Sequence, residues 1–149
     1  RKAGKKLIPA LFAAYILLLC AVFFLRSPVG RVRINLVPFD TITTYLTRLS
    51  ENSINTDIVM RGVFGNILLT LPLGAFAAMY AALREKSGKI FLALSLAFIA
   101  ATELLQFAFR MGECDIDTIM LRFVGVVIGY GVIRLTSSFI ARERAGTAR

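Results

Sequence analysis

The sequence contains no histidine and no tryptophan, and only two of its 149 residues are cysteine. The missing histidine removes the commonest general base and the commonest metal ligand. Cys20 and Cys114 lie too far apart for a zinc or redox motif, and both are read as free thiols. Charge is scarce as well. Charged residues make up 18% of the chain, where a soluble domain carries about a quarter. With 57% hydrophobic residues and a mean hydropathy of +0.72, too little polar surface is left to coat a soluble fold.

What charge exists is basic, for a net +9. The basic residues flank apolar runs and form no stripe interleaved with aromatics, so nucleic-acid binding is not expected. Leu7 to Leu25 contains no charge and is preceded by Lys5-Lys6, a length suited to one membrane crossing. It is too long for the core of a secretory signal, and no small-residue cleavage site follows. Because the chain opens on Arg1 rather than Met, further sequence is expected ahead of it.

The pattern predicts an all-α polytopic membrane protein, a single domain over residues 1–149, with spans at about 7–25, 58–83, 90–109 and 119–141. The last span is the weaker signal, because Arg122 and Arg134 lie within it. It crosses if both side chains reach toward the headgroups. Counting lysine and arginine on alternate sides gives eleven on the side of the termini and seven on the other. Acidic residues divide two and seven, so the sides carry +9 and 0. The positive-inside rule then places both termini in the cytoplasm.

Between the first two spans, Phe39, Ile42, Tyr45, Leu46 and Leu49 repeat at helical spacing. They predict a short amphipathic helix at the outer surface, with Asp40 as its cap after Pro38. Thr56-Asp57 marks the start of the second span. Pro72 and Gly74 suggest a bend and a close helix approach within it.

Costly polar residues gather at the outer ends of the spans. Asn66 lies just inside the second, and Glu103 and Gln106 in the outer part of the third, with Arg110 beyond on the same helical face. Glu103 is six residues from its span's end, roughly 9 Å deep. A carboxylate there must be protonated, hydrated or paired, and Arg122 and Arg61 are the cations at matching depth. The acidic loop Glu113-Cys114-Asp115-Ile116-Asp117 precedes the fourth span, and one of its aspartates can cap that helix. Asp115, Asp117 and Glu103 carry the oxygen ligands that a hard divalent cation prefers. The sequence clusters too few carboxylates for one, so no metal or cofactor is expected. Gly125 and Gly129 form a G-x-x-x-G pair, which serves a homodimer or a contact inside the chain equally well.

Three blocks resemble the VanZ-like family of bacterial membrane proteins. Asn35-Leu36-Val37-Pro38-Phe39 is similar to that family's N-L-[IV]-P-F block. Gly65-Asn66, continuing to Pro72 and Gly74, resembles its G-N-x-x-x-F-x-P-x-G block, with Thr70 at the aromatic position. Glu103-Leu104-Leu105-Gln106, then Asp115-Ile116-Asp117 and Gly125, resembles E-x-x-Q followed by D-I-D-D-x-x-x-N-x-x-G. Thr118 stands at the second aspartate of the D-D pair and Arg122 at the usual asparagine. The resemblance implies a plasma-membrane protein of the bacterial envelope, and the family's named member is associated with resistance to teicoplanin, a lipid-tailed glycopeptide.

Two functional expectations follow, both centred on the outer polar residues. One is a non-enzymatic pocket built from Asn35, Asn66, Glu103, Gln106, Asp115 and Asp117, with Arg122 as counter-charge, that binds a lipid-linked or lipophilic envelope molecule. The other is an enzyme acting on a lipid headgroup, with Glu103 as the catalytic acid or base. A small transporter or its assembly subunit is a third reading, weakened by the lack of an internal repeat. In each case membrane lipids are the surrounding partner.

Overall fold

The computed structural model describes residues 2–25, 33–84 and 87–146. Arg1, Arg26, Arg31, Glu85, Lys86 and Arg149, which entered the charge count, lie outside them. The chain runs α1 (Lys2–Phe24), β1 (Ile34–Asn35), α2 (Asp40–Ser50), α3 (Thr56–Met60), a π turn (Arg61–Gly65), α4 (Asn66–Arg84), α5 (Gly88–Ala108), β2 (Cys114–Asp115) and α6 (Ile116–Gly146). Four stretches are long and apolar enough to cross a membrane: Leu7–Phe24, Thr56–Ala81, Gly88–Ala108 and Ile116–Ile140. The fold is therefore all-α and polytopic. Below, the end holding α2 and the α5–α6 connection is the loop end, and the opposite end is the termini end.

The second span starts at Thr56, where the Asn55 side chain accepts a hydrogen bond from the Asp57 N–H at 3.0 Å. Its π turn was not foreseen, because one extra residue in a helical turn leaves hydropathy unchanged. The Asn66 amide donates to the Gly62 carbonyl within this turn at 2.6 Å, so the widened backbone stays satisfied.

α4 and α6 form the centre of the bundle. A Cβ at Gly125 would collide with the Ile67 carbonyl, one at Gly129 with Leu71, and one at Gly74 with Val126. The three glycines thus let two backbones touch, and Thr70 seals the contact by donating to the Arg122 carbonyl at 2.6 Å. The G-x-x-x-G face is occupied by α4, and a homodimer through Gly125 and Gly129 would have to displace that helix. Leu73, Ile99 and Val126 form the buried core beside this seam.

α1 is the outermost helix: 11% of its span is buried, against 28% in each of the others. Edge-to-face rings hold it, with Phe12 against Phe76 and Tyr80 at 5.3 and 5.5 Å. The Tyr15 hydroxyl also donates to the Leu69 carbonyl at 2.8 Å.

Two connections meet at the loop end. β1 and β2 pair in parallel, Ile34 with Cys114 and Asn35 with Asp115. α5 stops in a Schellman turn: Arg110 is left-handed (φ 56°), and its N–H and that of Met111 bond to Phe107 and Gln106 carbonyls. This corrects the expected placement of Arg110 beside Glu103 and Gln106. The helix ends before it, and its side chain is exposed.

Candidate functional site: a polar cleft closed by two aspartate caps

Arg122 organises the site. The residue is 4% exposed and its guanidinium points into the bundle, not toward the headgroups as its position in the span suggested. The physical reason is that it finds acceptors inside. Nη1 donates to the Glu103 carboxylate at 2.5 Å, and Nε donates to the Asn66 side-chain Oδ1 at 3.1 Å. Gln106 Oε1 lies 3.4 Å from both terminal nitrogens, and the Phe23 ring is 4.2 Å from the guanidinium carbon. Of the cations at matching depth, Arg122 pairs with Glu103, while Arg61 is exposed at the rim.

The two amides are aimed by their other ends. Asn66 donates to Gly62, and Gln106 donates to the Phe23 carbonyl at 3.0 Å, so both oxygens face the arginine. Among the described residues, every buried side-chain nitrogen and oxygen has a partner.

Asp115 and Asp117 each cap a helix. Asp115 Oδ1 accepts the Asp117 N–H at 3.0 Å and so starts α6. Asp117, fully buried, instead receives three N–H groups from the start of α2: Phe39 at 2.5 Å, Thr41 at 2.9 Å and Ile42 at 3.1 Å. Here the expectation that Asp40 caps α2 is corrected. Phe39 occupies the cap position in a left-handed conformation (φ 67°), and the Phe39, Thr41 and Ile42 amides turn toward the distant carboxylate. Asp40 is the first helical residue and accepts from Asn35 Nδ2 at 3.1 Å, as does Thr41 Oγ1 at 3.0 Å. Asn35 Oδ1 closes an Asx turn onto the Val37 N–H at 3.2 Å.

α2 therefore lies across the loop end, latched by Asp117. Beneath it is a cleft of about 560 Å³ whose floor is Asn66, Glu103, Gln106 and Arg122. Its rim is Thr41, Tyr45, Arg61, Gly112, Glu113, Asp115 and Thr118. Of the seven residues expected to build a site, five line this cleft. Asn35 and Asp117 stand behind it and hold α2. The rim residues Tyr45, Arg61, Glu113 and Thr118 were not singled out as binding residues. Tyr45 packs so closely on Gly62 that a Cβ there would come within 2.7 Å of the ring. Burial, and then the charges of Asp115 and Glu113, push the Tyr45 phenol above its ordinary value of 10.0, so it remains a hydrogen-bond donor. Burial, and then Glu103 and Asp115, raise the Cys114 thiol in the same way.

Among the described residues, no three His, Cys, Asp or Glu side chains converge in a way that would hold a metal ion. The chain matches the VanZ/LLP1 family over residues 12–137, which takes in the second and third spans, most of the first and fourth, and every residue of the cleft.

The chain belongs to the VanZ/LLP1 family.

No curated protein and no solved structure matches it. The geometry explains why the VanZ-like blocks occur together. The Asn35 block forms β1 and the left-handed turn, and the Asp115 block forms β2 and supplies the carboxylate that the turn requires. At the departure from the family pattern, Arg122 reaches Asn66, Glu103 and Gln106, all in VanZ-like motif positions.

Proposed function

We propose that this VanZ-family chain is a bacterial plasma-membrane protein with both termini in the cytoplasm, and that its loop-end cleft faces outward. There it binds the polar head of a lipid-linked or lipophilic envelope molecule, and this binding contributes to tolerance of teicoplanin-type glycopeptides. The orientation rests on the charge difference between the two sides. The carrying observation is the division of labour in the cleft. The floor is a neutralised, fully hydrogen-bonded set, whereas the rim offers polar groups not engaged within the described protein: the hydroxyls of Tyr45 and Thr118, the Glu113 carboxylate, and much of the Arg61 guanidinium. A rigid floor and an unengaged rim suit recognition. Glu103 is committed to Arg122, which supports binding over acid–base chemistry.

The test is teicoplanin binding to purified protein in lipid nanodiscs. Wild type is compared with Thr118→Val and Glu113→Gln, neither of which touches the buried ion pair. Binding weakened about tenfold in the double variant, at unchanged thermal stability, is the expected result, about 1.4 kcal/mol. Unchanged affinity, or no binding by wild type, overturns the proposal.

A further inference from the structure

The connection that leads into α2 carries a strip of apolar side chains left uncovered by the described residues. Ile34, Leu36, Val37 and Phe39 are 55–66% exposed, and only Asn35 in this stretch is buried. Leu46 is exposed to the same degree, seven residues beyond Phe39 and on the same face of α2. The apolar row expected along α2 therefore divides. Ile42, Tyr45 and Leu49 turn partly into the protein, while Phe39 and Leu46 stay outside, with Thr47 and Arg48 exposed further round the helix.

The depth of the strip follows from the helices to which it is tied. α5 has 21 residues, about 31 Å, which matches the hydrocarbon core and puts its end at Ala108 near the edge of that core. Glu103 lies five residues short of this end, and its partner Arg122 lies five residues past Asp117. Asp117 is thus level with the end of α5, and Asp117 accepts the Phe39 N–H. The pairing of Ile34 with Cys114 and Asn35 with Asp115 holds the start of the strip just ahead of α6, at the same level. Near the end of α5, Leu104 and Phe109 are also exposed, as the lipid-facing wall of a span must be. Adjacent exposed apolar side chains at this depth meet the boundary between headgroups and acyl chains, not bulk water.

The strip and α2 form one piece. Asn35 accepts the Val37 N–H and donates to Asp40 and Thr41. Phe39 has its N–H in the Asp117 latch and its side chain outside. Whatever holds the strip therefore also holds the helix over the cleft.

We propose that Ile34, Leu36, Val37 and Phe39, with Leu46, are a membrane anchor inserted into the leaflet at the loop end, and that the bilayer is a second fastening of α2 beside Asp117. The partner of this surface is lipid. The proposal goes beyond the cleft reading and does not depend on what the cleft binds.

The sequence contains no tryptophan, so a single one introduced by substitution reports without background. Val37→Trp, Leu46→Trp and Thr47→Trp are compared in the full chain in phosphatidylcholine nanodiscs. One quencher is phosphatidylcholine brominated in the upper part of its acyl chains, and the other is iodide in the buffer. Brominated lipid is expected to quench Val37→Trp and Leu46→Trp by about half, and iodide to quench Thr47→Trp about fivefold more strongly than either. Iodide quenching as strong at Val37→Trp as at Thr47→Trp puts the strip in water. Shielding of Val37→Trp from both quenchers means that protein, such as a second copy of the chain, covers it. Either result overturns the proposal. The fastening is read by hydrogen exchange in the same nanodiscs. Leu36→Asp/Val37→Asp should raise exchange across α2 about tenfold and leave α4–α6 unchanged; Leu46→Ser, outside the latch, should act in the same direction if the double variant misfolds. Unchanged exchange in α2 overturns the anchoring role. Teicoplanin enters neither readout, so failure of the cleft reading and failure of this one remain distinct.

Discussion

The two ends of the bundle are held together by different forces. At the termini end, helices meet through Phe12, Phe76, Tyr80 and Phe91, with ring centroids 5.3–6.4 Å apart, and through small residues such as Ala77 and Ala78. At the loop end the same helices are joined by an arginine, a carboxylate, two amides and two aspartate caps. Lipid tails are as apolar as leucine, so packing in a membrane gains little from hydrophobic burial and depends on close fit. Hydrogen bonds add direction, at the cost that each must be complete. The apolar end consequently tolerates a cavity, whereas the polar end leaves no buried side-chain group unpaired among the described residues.

The sharpest way to break this contrast is to remove half of the buried pair. Arg122→Met leaves the Glu103 carboxylate unpaired and should cost about 3–5 kcal/mol, read as loss of folded protein in detergent thermal melts. Arg122→Met/Glu103→Met should recover most of that loss, since replacing both charges by apolar groups is often neutral. A double variant no better than the single one would show that the pair does not act as a unit.

Next come the glycines. Gly129→Ala forces a Cβ into the Leu71 carbonyl and should destabilise by about 1–3 kcal/mol, the usual range for overpacking. Gly131→Ala, two residues on, meets nothing within 4 Å and should be neutral or stabilise by up to about 1 kcal/mol. Equal effects at the two sites would remove the argument for a close α4–α6 seam.

A smaller and more local effect is expected at the latch. Asp117→Ala removes the acceptor of three α2 amides and should cost about 1–2 kcal/mol, as lost helix caps do. Hydrogen exchange should rise across residues 39–50 and change little in α4–α6. Asp40→Ala, in contrast, should leave α2 protection nearly intact.

The smallest is a titration. Because the Tyr45 phenol is raised in the folded state, its contribution is present below about 10 and is lost as pH climbs through the higher folded value. The phenolate absorbance difference between wild type and Tyr45→Phe should therefore have its midpoint above 10. A midpoint at or below 10 would place Tyr45 in open solvent instead of over the cleft.

The spans were legible in the sequence because uncharged runs of that length have one physical use. The helical spacing of Glu103 and Gln106 correctly placed them on one face, and the need to neutralise a buried carboxylate pointed to Arg122. Hydropathy alone, however, treated Arg122 as an interruption to be carried out to the headgroups, since a window average does not record which way a side chain points. The Asp40 cap was misread for a related reason. Cap signals are local in sequence, and the carboxylate that serves α2 lies 78 residues from Phe39. The β1–β2 pairing is two residues long and leaves no alternation to detect.

That distant cap also has a bearing on biogenesis. Residues 39–42 leave the ribosome long before Asp117 exists, so α2 cannot be seated when it first reaches the membrane surface. A chain arrested between the third and fourth spans carries its first loop unlatched and its cleft without Arg122. Only insertion of α6 supplies both the Arg122 of the floor and the Asp117 clasp in one step. The latch is thus complete only once α6 has inserted, and nascent-chain proteolysis of residues 33–55 should stop abruptly at that point.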